Sequence, residues 1–475
     1  DLKDLPFCFF RPTIPNGGVP MKRSLVTLFS LLMLASLVLA ACGAPAPEAP
    51  AAEEAPVAEA PAAEEAPVAE APAAEEAPAG APEPAELVIG FTSSVTGKYE
   101  VSSTRQVNGF SLWMNQVNDA GGLTLSDGTV VTFSYQTYDD ESNAERVQEL
   151  YTRLVTEDNA DFLISPYSSG LTSAASIVAE QNGKILLTTG AADDAAYKTG
   201  NTSLFQLYTP ASLYMSSTVD MLKELNPGAK VALVYEDVKF STSVAQGIKP
   251  YLEANGFEIV LEEGYASETA DFGPIVNKIS GSGATVLLGG GHYNDGTALA
   301  RSLYDRNAGL ELIYLLVAPA DTKFPELGDA ALGVVSSSQW ELKATHNEAE
   351  ANDLGFEWFG PTGEEFAASY EAAYGDAPTY HAAGGYAAGL VLQKAIEDAD
   401  SVDSDAVKTA LNAMNMMAFY GGIRFDTSEE AHGLQIAHKM VVAQWQLDDA
   451  GEFVLEIVAP AGVATSDPLY PIPTH

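Results

Sequence analysis

The chain has 475 residues, with 23 Lys and Arg against 65 Asp and Glu, and a formal charge of −42. That balance excludes a nucleic-acid partner, whose phosphates need a basic surface, and electrostatic docking on anionic lipid heads. Two cysteines, Cys8 and Cys42, exclude a disulfide framework and a cysteine-based zinc site, and 47% hydrophobic with 9% aromatic residues excludes wholesale disorder.

Residues 1–20 carry no periodicity and read as translated upstream sequence, because an export signal begins directly after them. Met21, Lys22 and Arg23 form a basic start, an apolar run occupies 24–38, and Leu39-Ala40-Ala41-Cys42 ends it with small residues before a cysteine. The run falls short of the ~20 apolar residues that a membrane-spanning helix needs. The Leu-Ala-Ala-Cys pattern resembles a bacterial lipobox, which implies a lipoprotein signal over 21–41 and a diacylglycerol on the Cys42 sulfur. An ordinary signal that happens to end near a cysteine is the alternative. Residues 42–86 are Ala, Pro and Glu repeats (Glu53–Ala63, then Glu64–Ala74) with no Lys or Arg. Proline and like-charge repulsion predict an extended tether. Beyond it, residues 87–475 still hold 19 basic against 52 acidic residues.

From Leu87 onward, short apolar strands alternate with helical stripes. Leu87–Phe91 predicts a strand; Val107, Phe110, Met114 and Val117 then share one helical face. Val130–Tyr135, Phe162–Ile164 and Ile185–Leu187 predict further strands, with a helical stripe at Val147, Leu150 and Leu154. After Pro210 the cycle restarts, with strands at Val231–Val234, Ile259–Leu261, Val286–Leu288 and Leu312–Leu316. Helices are expected between them near Ser243–Glu253, Phe272–Ile279 and Thr297–Arg306. Further helices follow at Phe366–Tyr374, Tyr386–Glu397 and Asp405–Met414. Three strands close the chain at Ile423–Phe425, Met440–Trp445 and Phe453–Ile457. A β-α-β succession run twice predicts an α/β protein with parallel sheets covered by helices on both faces.

Ligands of such sheets sit beyond the carboxyl ends of the strands. The loops there include Ser165–Gly170, Thr189–Asp193, Tyr235–Asp237, Gly289–Tyr293 and Ala318–Asp321. Most are small or hydroxylated and lead into helices, where free amides can hold a carboxylate; turn and cap roles account for each loop taken singly. Enzyme motifs fail. Thr96-Gly97-Lys98 lacks the first glycine and the trailing hydroxyl of a phosphate loop, and Gly281-Ser282-Gly283 has the wrong spacing for a nucleophile elbow. The six histidines (292, 346, 381, 432, 438 and 475) give no pair at helical ligand spacing, so neither metal nor cofactor is expected.

Several runs occur in an order that resembles the type I periplasmic solute-binding proteins of ABC importers, in the branched-chain amino acid and amide (leucine-binding-like) branch. They are Val95-Thr96-Gly97-Lys98, Val117–Gly122, Tyr138-Asp139-Asp140, Thr188–Ala192, Asp271-Phe272-Gly273-Pro274 and Tyr380-His381-Ala382-Ala383. The resemblance implies two Rossmann-like lobes joined by three hinge crossovers, near Leu207–Pro210, Val335–Ser338 and Tyr420–Ile423. Lobe 1 is then expected over 87–208 plus 337–421, lobe 2 over 209–336 plus 422–463, and a tail over 464–475. It implies a lipid-anchored receptor on the outer face of the cytoplasmic membrane, no enzyme. Such a receptor captures an amino acid, amide or similar small polar solute and delivers it to ABC permease subunits. The alternative is a sensory receptor of the same fold feeding a chemoreceptor or kinase.

Site residues carry over in part. Ser169, or its neighbour Ser168 after Tyr167, matches the serine that holds a ligand carboxylate, and Ala191 matches a backbone position beside it. The neighbouring hydroxyl position falls on Asp193, a departure, since a carboxylate repels a carboxylate. Phe240 stands for an aromatic of the second lobe and lacks its hydroxyl. The tyrosine of the later glycine loop falls on Gly291, with His292 and Tyr293 adjacent. Asp321 is the nearest candidate to meet a ligand ammonium, and Trp340 and Tyr380 lie where relatives line the pocket.

Overall fold

The computed structural model describes residues 83–473, so the signal, Cys42 and nearly all of the tether lie outside the described residues. Sixteen strands and eleven α-helices follow in chain order among them. The first group is β1 (Ala85–Ser93), α1 (Glu100–Asp119), β2 (Leu123–Thr124), β3 (Val130–Asp139), α2 (Ala144–Thr156), β4 (Phe162–Ile164), α3 (Ser169–Gln181), β5 (Leu186–Thr188) and β6 (Leu204–Gln206). The second is α4 (Ser216–Leu225), β7 (Lys230–Glu236), α5 (Lys239–Ala254), β8 (Glu258–Tyr265), α6 (Gly273–Ser282), β9 (Val286–Gly290), α7 (Tyr293–Asp305), β10 (Leu312–Leu315) and β11 (Val335–Ser338). The third is α8 (Glu348–Leu354), β12 (Glu357–Trp358), α9 (Gly363–Tyr374), α10 (Tyr380–Ala399), α11 (Ser404–Ala413), β13 (Met416–Ala418), β14 (Gly421–Ile423), β15 (Val441–Leu447) and β16 (Phe453–Ala459).

The alternation of short apolar strands with amphipathic helices resolves into two main sheets. One has the order β2-β3-β1-β4-β5-β6, the other β16-β15-β11-β10-β9-β7-β8. Pairing is parallel except at β2–β3, β11–β15 and β15–β16. Strand runs such as β7 are buried almost throughout, as strands covered on both faces must be. Helix starts follow local chemistry: the Asn143 side chain accepts from the amides of Glu145 and Arg146 to open α2, and Thr362 with Glu365 forms a capping box on α9. This is an α/β protein of two lobes.

Against the first sheet, α1 and α10 cross in near-backbone contact. A Cβ on Gly109 would lie 1.9 Å from the Ala382 carbonyl oxygen, and one on Gly385 would lie 2.0 Å from that of Gln106. Only glycine permits that approach. It fixes the start of α10 against the lobe edge that faces the second lobe.

The chain passes between the sheets three times. The first two passages follow β6 and β11, near the expected places. The third does not. Gly421–Ile423 pairs antiparallel with β13 in a small sheet of order β12-β13-β14, and the chain then runs back along the first lobe, where Phe425 bridges Gln435 and the Gln206 amide donates to the Gly433 carbonyl. Passage comes only around His438–Met440, ahead of β15. The stretch expected as a tail also differs. Ile472 is buried under the Gly333 turn, its amide donates to the Glu311 carbonyl, and the Tyr470 hydroxyl reaches Glu311 Oε2. Apolar Ile472 gains more against the sheet than in water.

Candidate functional site

The carboxyl ends of both main sheets face each other across a cleft. On the first-lobe side, Ser168 caps α3: its hydroxyl accepts from the Leu171 amide, and its own amide donates to the Gly190 carbonyl. Its φ of 91° is a conformation that L residues rarely adopt. Ser169 Oγ accepts from the amides of Ala192 and Asp193, both at 3.2 Å, tying the α3 start to the loop after β5. The Ala191 carbonyl accepts from Gln206 Nε2. Asp193 caps the next turn through the Ala195 amide and lies 3.5 Å from Lys239 Nζ at the start of α5.

Aromatic rings fill the space between. Tyr167 meets Tyr99, His381 and, across the cleft, His292, at centroid distances of 5.8, 5.2 and 5.9 Å. Its hydroxyl lies 3.3 Å from His381 Nε2. His292 also meets Tyr99 at 4.6 Å and Phe240 at 5.5 Å, and Phe240 meets Tyr214. Toward the hinge, Tyr380 stacks on His381 and meets Tyr208 edge-on. The phenols of Tyr208, Tyr214 and Tyr420 lie close enough to perturb one another's ionisation, after burial, which raises all three.

Charges cross the cleft in pairs. Glu236, at the end of β7, holds His292 Nδ1 at 2.6 Å and Lys98 Nζ at 3.2 Å, with Ser267 also bonded to it. Burial opposes its ionisation, but the His292 hydrogen bond and charge, Ser267 and Lys98 prevail and bring it down to about 2. Asp321 lies 3.7 Å from Arg105 Nε, and Arg105 also binds Asp376 at 2.6 Å. Burial raises Asp321 nonetheless, against the Lys323 amide and the Arg105 charge. His381 is pushed down to about 3 by burial, and next by the positive charges of Arg105 and His292.

Glu236, His292 and Asp295 offer three ligand-type atoms within 4.8 Å of one another. Their lone pairs are committed, however: Asp295 accepts from Tyr265 and from the His292 amide, and Lys98 already supplies Glu236 with a cation. A Cβ at Gly291 would strike Glu236 Oε2 and Asp295 Oδ2 at 2.5 Å, so the glycine loop gives this cluster its room.

The expected residues therefore divide. Tyr167, Ser168, Ser169, Ala191, Asp193, Phe240, His292 and Tyr380 gather at or beside the cleft. Half-buried Tyr293 belongs with Asp321 and Arg105, whose charges reach its phenol. Asp321, expected to meet an ammonium, faces Arg105 instead. Trp340 stands apart: its indole packs on Phe366 and Phe419 in the first-lobe core and donates to Thr345, so it is a core residue. Lys98, Tyr99, Arg105, Tyr208, Tyr214, Glu236, His381 and Tyr420 escaped the sequence reading. Lys98 and His381 stood inside runs that carried the resemblance, and Glu236 inside a strand-end loop.

Two α/β lobes meet across a buried, ring-lined cleft, the arrangement of a binding protein. The chain belongs to the periplasmic binding protein family, whose sequence model matches residues 86–452. It is thus a solute-binding protein rather than an enzyme. A curated relative, the Leu/Ile/Val-binding protein homolog 7 of Brucella melitensis, is 24% identical over 375 residues, 77% of this chain and 90% of that protein. Homolog 8 of Brucella abortus is 24% identical over 341 residues, 70% of this chain and 81% of that protein. Among solved structures, the branched-chain amino acid transporter substrate-binding protein LivJ of Streptococcus pneumoniae, in complex with isoleucine, superposes with a TM-score of 0.64 at 20% identity. It covers 79% of this chain and 100% of that one. An ABC transporter solute-binding protein of R. palustris in complex with 4-hydroxybenzoate gives 0.65 at 18% identity, with 78% and 96% covered.

Proposed function

We propose that the chain is the solute receptor of an ABC importer, anchored through Cys42 outside the cytoplasmic membrane. It encloses an amino acid, aromatic acid or similar small solute between lobes spanning roughly 87–208 plus 337–437 and 209–336 plus 438–473, and passes it to permease subunits. The observation that carries this reading is the cleft: buried Tyr208, Tyr420 and His381 each keep a polar atom without a hydrogen-bond partner among the described residues. Burying such groups unpaired costs about 1–3 kcal/mol each, a cost that an enclosed solute removes. Tyr167, Ser168, Ser169, Ala191, Phe240, His292 and Tyr380 would line its site, with Asp193, Tyr293 and Asp321 at the rim. The names of the relatives and the ligands of the fold neighbours point the same way. A thermal-shift screen with amino acids, amides and aromatic acids tests it, followed by small-angle scattering with any hit. A solute should raise the melting temperature and compact the protein. Unchanged radii of gyration with a tight ligand would count against enclosure. Cys42→Ser should separately release the protein from membranes.

A further inference from the structure

A second cavity, of about 320 Å³, opens beside the second passage between the sheets. That volume is within the range of small-molecule sites. Its walls come from both lobes: the loop after β10 with β15 and β16 on one side, the turn that leads into α10 on the other, and Glu341–Lys343 of the passage between them. None of the residues assigned above to the solute's site lines it, so it stands independently of what the cleft encloses. Trp445, Val454, Leu455 and Ile457 give one wall that is apolar throughout. The Trp445 N–H is taken by the Pro319 carbonyl at 2.7 Å, so the indole adds only apolar surface.

Two polar groups on these walls are uncommitted. Thr379 stands at the N-cap of α10, where a threonine hydroxyl normally accepts from an amide of the first turn, yet it makes no cap bond. It is 3% exposed, and its Oγ1 has no hydrogen-bond partner among the described residues. Glu341 has no ion-pair partner among them either: the nearby Lys343 bonds Glu456 Oε1 at 2.6 Å. Burial pushes the Glu341 carboxyl up to about 7, against the Ser338 hydroxyl and the Lys343 charge. Thr322, by contrast, already accepts from Arg105. Exposed Glu371 adds a second carboxyl to the lining. A carboxyl that no cation answers, a hydroxyl free to accept and an apolar wall together suit an ammonium on a short hydrocarbon body. An anion would meet two carboxyls, and a wholly apolar ligand would leave Thr379 and Glu341 unpaired.

We propose that this cavity is a second ligand site, straddling the lobes, that takes a small alkylammonium ion: the ammonium on Glu341 and Thr379, the hydrocarbon against Trp445 and Ile457. Titration calorimetry of the full chain with hexylamine, hexanol and hexanoate tests it, since the three differ only in the head group. Hexylamine should bind at this site about tenfold more tightly than either of the others. Glu341→Gln keeps the shape of the wall and removes its charge, and should weaken hexylamine about tenfold; Thr379→Val removes only the hydroxyl and should weaken it about threefold. Melting curves of both variants establish that each is folded, and either one alone is enough to place the amine. Absence of hexylamine binding, hexanoate or hexanol binding as tightly as hexylamine, or wild-type affinity in the folded variants would each overturn the proposal.

Discussion

The two walls of the cleft are built differently. The first-lobe wall is held together from within: Ser168 and Ser169 spend their hydrogen bonds on the loop after β5, and α10 is fixed by its glycine crossing with α1. The second-lobe wall presents Glu236 and Asp321, which find their cations on Lys98 and Arg105 of the other lobe. The first wall is held mainly by hydrogen bonds within its own lobe; the second also draws cations from the other lobe.

The sharpest way to break this contrast is through the internally bonded wall. Gly385→Ala drives a methyl into the Gln106 carbonyl at a crossing of two backbones, and should cost about 3 kcal/mol in urea unfolding, with the cleft distorted in parallel. Next comes the wall that draws its cations from the other lobe. Arg105→Met leaves Asp321 buried without its cation; because the pair is 3.7 Å apart, the loss should be about 2 kcal/mol, below that of a tightly bonded buried pair. It should appear as roughly thirtyfold weaker solute binding with little change in secondary structure. Intact affinity would show that Asp321 needs no partner across the cleft.

A third effect is pH-dependent. Burial brings His381 and His438 from 6.5 to about 3. The unfolded imidazoles take up protons below 6.5 and the folded ones only near 3, so this stabilisation is present above 6.5 and lost as pH falls between the two. Each contributes a slope of about 1.4 kcal/mol per pH unit in that window. Buried Asp140, Asp295 and Asp321, raised by burial, act in the opposite sense, so the readout is the difference between wild type and His381→Gln from pH 6 to 4. Parallel curves would refute a buried neutral His381. The smallest effect is at Lys239, whose side chain is 42% exposed: Lys239→Ala should cost under about 1 kcal/mol, and less still in high salt.

The sequence shows one wall better than the other. Serines and small residues after β4 and β5 stand out because they interrupt apolar runs at strand ends, and the doubled β-α-β rhythm follows from period alone. The pairs that complete the second wall do not. Glu236 and Lys98 are 138 residues apart, and nothing local marks a lysine as aimed at another lobe. Trp340 reads identically whether it faces core or cleft. The third passage was misplaced because apolar Ile423–Phe425 suggests a new sheet, whereas Gly421 and Gly422 let the chain turn back as a hairpin on β13.

Ser168 carries a consequence for protein engineering. A serine at φ 91° costs about 1–3 kcal/mol of backbone strain, which glycine would largely relieve. Selection for heat tolerance alone would therefore favour Ser168→Gly. That change would delete the cap on α3 and the hydroxyl that Tyr99 feels, both at the mouth of the cleft. On the proposed reading of the cleft, a thermostable lineage obtained this way would trade solute recognition for durability, so any such campaign on this scaffold has to score binding alongside melting temperature.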